Sequence, residues 1–153
     1  MAALKTLVDA VGLFPSGEFD AMLESYCTGS LDADHAMITF DDGSLAGIAY
    51  YAPERMTAGT WNLYLVGVAP QRRSEGIGSA LLRAVDSTLA ARGERVLLVE
   101  TSGLPEFERT RAFYRANGYD EEARIREFYA AGEDKVVFRK ALRQPETSSA
   151  RTS

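Results

Sequence analysis

Apolar residues recur along this chain in two rhythms, and the switches between them divide it into elements. Leu4, Leu7, Val8 and Val11 are spaced as one face of a short helix over Leu4–Leu13, which Gly12–Gly17 breaks. Phe19, Met22, Leu23 and Tyr26 repeat that spacing in a second helical segment, with Ser16 placed as its cap. Met37–Phe40 and Leu45–Tyr51 read as strands around the turn Asp41-Asp42-Gly43, which makes a hairpin. Pro53–Gly59 is loop. Trp61–Val68 is the next strand, carrying Leu63, Leu65, Val66 and Val68, and Pro70, which cannot donate to a central ladder, ends it. From Ile77 the helical spacing returns at Leu81, Leu82, Val85 and Leu89, predicting a helix capped by Gly93.

Val96–Val99 is apolar throughout, as a strand buried on both faces is. A loop starting at Glu100 follows, and Pro105 keeps it from turning helical at once. Arg109–Asn117 is a helix closed by Gly118, and Tyr119–Ile125 and Lys135–Leu142 read as the last two strands. Residues 144–153 have nothing to bury and are expected to be disordered, which leaves 1–143 as one domain. Strands and helices mixed in this order predict an α/β (α+β) domain of three layers. Its core is a mixed, mostly antiparallel sheet flanked by helices.

The sharpest chemical signal lies at the junction of strand and helix. Between Val68 and Ile77 runs a short polar loop with Arg72, Arg73 and Gly76, followed by Gly78 at the helix start. Such a loop aims backbone N–H groups outward at the positive end of a helix dipole, which makes an anion site. Gly76 and Gly78 are read as letting the backbone approach the anion closely. The P-loop lysine is absent, and the spacing is not that of a dinucleotide-binding G-x-G-x-x-G. The pattern is R-x-x-G-x-G (Arg73, Gly76, Gly78), preceded by V-x-P (Val68, Pro70).

That pattern resembles the acetyl-CoA loop of the GCN5-related N-acetyltransferase (GNAT) family, and the element order resembles that family's layout from Ala36 to Leu142. The resemblance implies that the coenzyme's pyrophosphate docks on Arg73, Ser74, Gly76, Ile77, Gly78 and Ser79. It also implies a pantetheine arm laid beside Val66 and Val68 like an added strand. A second stretch, T-R-A-F-Y-R-A-N-G-Y over Thr110–Tyr119, resembles the family's aromatic–tyrosine signature. By that resemblance Tyr114 is the general acid toward the departing thiolate, a role a phenol can fill. One departure is plain: the asparagine that many relatives carry seven residues before this tyrosine is Phe107 here.

An alkyl ammonium acceptor is neutral only about one time in a thousand at pH 7, so a base must take its proton. The single histidine, His35, precedes the first hairpin strand and has no evident route to the site. Glu100, at the end of the apolar strand, is the better candidate, because α/β sheets open toward their ligands at strand ends. Asn62 and Tyr64 are candidates for orienting the acceptor or a water, and Phe19 for lining the acceptor pocket.

Composition narrows the classes. The chain has 153 residues, 46% hydrophobic and 25% charged, with net charge -5 and no basic block. A nucleic-acid binder, which needs a cationic stripe, is disfavoured. Cys27 stands alone, so no internal disulfide is expected, which suits a reducing compartment. No run approaches the roughly 20 apolar residues of a membrane span, and the first residues lack the features of a signal peptide. A cytoplasmic monomer or homodimer without a metal is expected. Its activity is expected to be acetyl transfer from acetyl-CoA to a small-molecule amine or an amino-acid-like acceptor. The alternatives are a non-catalytic acyl-CoA-binding module and a protein acetyltransferase acting on a lysine or an N-terminus.

Overall fold

The computed structural model describes residues 36–142. The predicted helices before Ala36, together with Phe19, Cys27, His35 and the tail 144–153, lie outside them. The strands are β1 (Ala36–Asp41), β2 (Leu45–Pro53), β3 (Thr60–Val68), β4 (Val96–Ser102), β5 (Asp120–Ala130) and β6 (Glu133–Ala141). Two α-helices are described, α1 (Ile77–Ala91) and α2 (Glu108–Ala116). Each is preceded by a 3₁₀ turn, Pro70–Glu75 and Pro105–Phe107 respectively. The sheet order is β1-β2-β3-β4-β6-β5, and among these pairs only β3 and β4 run parallel. A parallel pair needs a crossover, and α1 supplies it. The expected mixed, mostly antiparallel sheet flanked by helices is what forms. Among the described residues no helix is long and apolar enough to cross a membrane.

The spacing of Ile77, Leu81, Leu82, Val85 and Leu89 puts all five on one face of α1, where each is buried. That face packs on β1, β2 and β3. Leu63, Leu97, Val99, Val136 and Phe138 belong to the same core, as does Tyr114 of α2. Both helices therefore cover one face of the sheet. Glu100 lies on the other, since side chains alternate along a strand and its neighbour Val99 points to the core.

The parallel pairing of β3 with β4 is short. It begins at Thr60 with Val96 and ends at Leu63 with Val99. Just there β3 carries a bulge: Tyr51 pairs with Leu63 and Tyr50 with Leu65, so Tyr64 is the extra residue. A bulge bends its strand and increases the local twist. Beyond it β3 stays on β2, and β4 stays on β6 through Ser102 paired with Lys135. The sheet is split from Tyr64 onward.

Two boundaries differ from the pattern-based expectation. β4 continues through Glu100, Thr101 and Ser102, so Glu100 sits inside the strand rather than after it. The polar run looks like loop, yet β6 pairs with every residue of it. β5 extends beyond Ile125 to Ala130, with none of its residues buried, so no apolar stripe announces it.

A buried charge fixes the link between β4 and α2. Arg111 is 6% exposed. Its guanidinium donates to the carbonyls of Ser102 (2.7 Å) and Leu104 (3.0 Å) and to Glu108 Oε2 (2.8 Å). Three residues before Tyr114, it shares that residue's face of the helix. Replacing it with methionine keeps the bulk and leaves two carbonyls without their donor. Urea unfolding of Arg111→Met should show a loss of about 2–3 kcal/mol. A change within roughly 0.5 kcal/mol, as at an ordinary surface site, would contradict this role.

Candidate active site

The split in the sheet holds a cavity of 460 Å³. Its walls include Leu63–Val66 of β3, Val99–Ser102 of β4, Phe107 and Tyr114 from the helix side, and Tyr129 and Glu133 from the β5–β6 hairpin. Backbone edges of β3 after Leu63 and of β4 after Val99 face each other there, with no strand pairing between them. Such edges present N–H and C=O groups in a row, which suits an extended ligand carrying amides.

On the helix side, the loop after β3 is a 3₁₀ turn over Pro70–Glu75. Gly76 then turns left-handed (φ 79°) and opens α1. No side chain caps that helix, so the leading N–H groups at Ile77, Gly78 and Ser79 remain for an anion. The neighbouring arginines divide. Arg72 is locked by Asp42 (2.6 Å) and Glu75 (2.9 Å), and its hydrogen bonds hold both carboxyls below the usual range. Arg73 is exposed and, among the described residues, has no partner. Ser74 is exposed, Ser79 half-buried, and the Ile77 side chain belongs to the core, leaving only its backbone for a ligand.

Gly78 works differently from the expectation. A Cβ there would meet Phe113 Cζ at 3.0 Å and Val68 Cγ2 at 3.6 Å. Its smallness lets α2 close on α1, rather than only admitting an anion. Next to Phe113, Tyr114 is 7% exposed, against the rings of Tyr119 (5.9 Å) and Phe138 (5.7 Å). Burial pushes its phenol up to about 12, and its hydroxyl has no hydrogen-bond partner among the described residues. It lines the cavity as a protonated donor.

The opposite face supplies carboxylates. Glu100 receives Asn62 Nδ2 on Oε1 (3.2 Å) and pairs through Oε2 with Lys135 Nζ (3.2 Å). Lys135 also lies over the Phe128 ring, 3.9 Å from its centroid. Asn62, only 3% exposed, donates to Glu54 Oε1 as well (2.8 Å), and the Tyr64 hydroxyl reaches the same oxygen at 3.4 Å. Burial, then Glu54, raise the Tyr64 phenol, which makes it a donor and a poor base at neutral pH. Tyr129 is raised by burial, then by Glu100 and Glu133.

Sequence-named residues thus gather at one place: Tyr114, Glu100, Tyr64 and Val66 line the cavity, and Asn62 is bonded to Glu100. Val68 packs on the core beside the Gly78 turn. Phe19 lies outside the described residues. Glu54, Arg111, Tyr129 and Lys135 were not singled out by the sequence. Arg111 carried a signal, its i,i+3 spacing from Tyr114; Glu54, in an apparent loop, carried none. Among the described residues no cluster of His, Cys, Asp or Glu could hold a metal ion.

Comparison with known proteins agrees with this fold. The acetyltransferase (GNAT) domain pattern matches residues 32–121. A mycothiol acetyltransferase of Clavibacter michiganensis subsp. michiganensis (strain NCPPB 382) is 39% identical over 84 residues, 54% of this chain. The aligned part is 25% of that protein, so the chain spans about a quarter of the length of this curated relative. A GNAT-family protein from Desulfovibrio desulfuricans superposes with TM-score 0.86 and 31% identity, covering 93% of this chain and 92% of that one. An aminoglycoside 6′-N-acetyltransferase solved with coenzyme A gives TM-score 0.71 over 94% and 93% of the chains. At 18% identity this last likeness shows the fold alone.

The two glycines predict separable defects. Gly76→Val forces a β-branched residue into a left-handed turn with open space around it, at a strain of about 1–2 kcal/mol. It should weaken acetyl-CoA binding about tenfold in calorimetry while the domain still unfolds cooperatively. Gly78→Val should lose affinity and thermal stability together, because Phe113 must move. Unchanged coenzyme affinity in both variants would contradict the assignment of the loop.

Proposed function

This chain belongs to the GNAT acetyltransferase family, and from that premise we propose that it transfers the acetyl group of acetyl-CoA to a small-molecule amine in the split between β3 and β4. The observation that carries the reading is the Tyr114 phenol, without a hydrogen-bond partner among the described residues, on one side of a cavity that Glu100 lines from the other. The open start of α1 and the exposed Arg73 suit a pyrophosphate. The free edge of β3 suits the amides of pantetheine. A volume of 460 Å³ falls in the range of small-molecule sites.

The chemistry divides between the two faces. Glu100, directly or through one water, takes a proton from the acceptor ammonium, and the freed amine attacks the thioester carbonyl. Carbon–nitrogen bond formation is matched by loss of the carbon–sulfur bond. Tyr114 gives its proton to the departing thiolate and regains one as the attacking nitrogen sheds its second proton, or else it only hydrogen-bonds to the thiolate. Free edge N–H groups of β3 can polarise the carbonyl oxygen. With its phenol pushed up to about 12, Tyr114 stays protonated across the neutral and mildly alkaline range.

The test is thiol release from acetyl-CoA across amines, amino acids and peptides, with Tyr114→Phe and Glu100→Gln beside the wild type. Tyr114→Phe should lower kcat by about ten- to a thousandfold. Its ratio to wild type should be flat between about pH 7 and pH 10, since the phenol does not ionise there. Glu100→Gln should lose activity at neutral pH and regain part of it as free amine becomes abundant. Thiol release that no acceptor accelerates, or two variants with wild-type turnover, would contradict the reading.

A further inference from the structure

Asn62 was expected to orient the acceptor or a water, and the structure gives its amide another use. Its nitrogen has two hydrogens, one directed to Glu54 (2.8 Å) and one to Glu100 (3.2 Å). No donor is left for a substrate. The residue is 3% exposed and stands on β3 opposite Leu98, one position before the last pair that holds β3 and β4 together. It is therefore anchored on the unsplit part of the sheet while its side chain holds groups at the mouth of the split.

We propose that Asn62 is a positioning residue that ties Glu100 and Glu54 into one unit through a single amide and so fixes the aim of Glu100. Both carboxylates lie within hydrogen-bond reach of the same nitrogen, so without it two like charges would face each other across a short distance. The groups around Glu100 come from several elements. Asn62 and Tyr64 lie on β3, Glu54 follows β2, Lys135 lies on β6, and Tyr129 of β5 senses Glu100 and Glu133 together. Lys135 is the one cation paired with Glu100 among the described residues, and it takes Oε2. Among the described residues Oε1 is held by Asn62 alone. Glu54 has no cation partner among the described residues; its Oε1 accepts from Asn62 and Tyr64. Loss of the amide would free Glu100 to swing about Lys135, away from the cavity, and misplacement of a reacting group by about 1 Å can cost a hundredfold in rate.

The proposal rests on the functional reading above, and its test has one arm that needs no turnover. Carboxyl titration of Glu54 and Glu100 is followed by carbon-13 NMR in wild type, Asn62→Asp and Asn62→Asp/Glu54→Gln. Asn62→Asp keeps the shape, removes both donors and adds a third carboxylate. The Glu100 midpoint should move to higher pH in the single variant and return toward wild type in the double variant, which restores the number of charges. In the kinetic arm Asn62→Asp should lower kcat about tenfold, shift the acid limb of kcat/KM to higher pH and leave acetyl-CoA affinity unchanged. A Glu100 titration that ignores Asn62→Asp, or a shift that Glu54→Gln leaves in place, overturns the coupling. So does lowered thermal stability with an unmoved pH profile, which a merely structural asparagine would give. Coupled titrations in a protein that acetylates no amine would instead refute the functional reading and leave the coupling standing.

Discussion

A single extra residue determines the architecture of the site. Tyr64 is the inserted residue where β3 meets β2 out of register, and the parallel pairing with β4 stops one residue before it. An unsplit sheet would satisfy those backbone groups internally and leave nothing for a ligand. Here the edges of β3 and β4 separate while each keeps its outer partner, so the opening costs only the hydrogen bonds between these two strands. The core does not depend on them: Leu63, Val99, Val136 and Phe138 pack under the helices regardless.

The same opening divides the labour between the two faces. On the proposed reading the helix side, with the uncapped start of α1, the exposed Arg73 and the buried Tyr114 phenol, holds an anion and gives a proton. Across the sheet, Glu100, Glu54 and Asn62 with Lys135 then meet a cationic amine. Strand alternation makes this separation automatic, since Val99 and Glu100 are adjacent in sequence and point to opposite sides. Arg111 links the sides by tying the end of β4 to α2, adding a polar anchor to the packing that holds Tyr114.

The legible part of this molecule is the part written in periodic apolar residues or in a glycine pattern. α1 matched because its five buried residues fall on one helical face, and the turn that leads into it because Pro70 and Gly76 mark where the strand ends and the helix begins. The polar ends of strands were not legible. Glu100-Thr101-Ser102 is strand because β6 offers partners far along the chain, and β5 runs on past Ile125 to Ala130, which pairs with Glu133 of β6. Gly78 was read as room for an anion, whereas the ring it accommodates comes from Phe113, distant in sequence. Glu54 was invisible for the same reason: its importance lies in what Asn62 and Tyr64 bring to it, and no local pattern records that.

The account's central claim is that the split between β3 and β4 receives the coenzyme. A crystal structure of the protein with acetyl-CoA or coenzyme A tests it most directly. The account predicts the pyrophosphate on the N–H groups of Ile77, Gly78 and Ser79, pantetheine amides bonded to the β3 edge after Leu63, and the sulfur beside the Tyr114 hydroxyl. Coenzyme bound on any other surface, with the cavity between Tyr64 and Glu100 left empty, would contradict it.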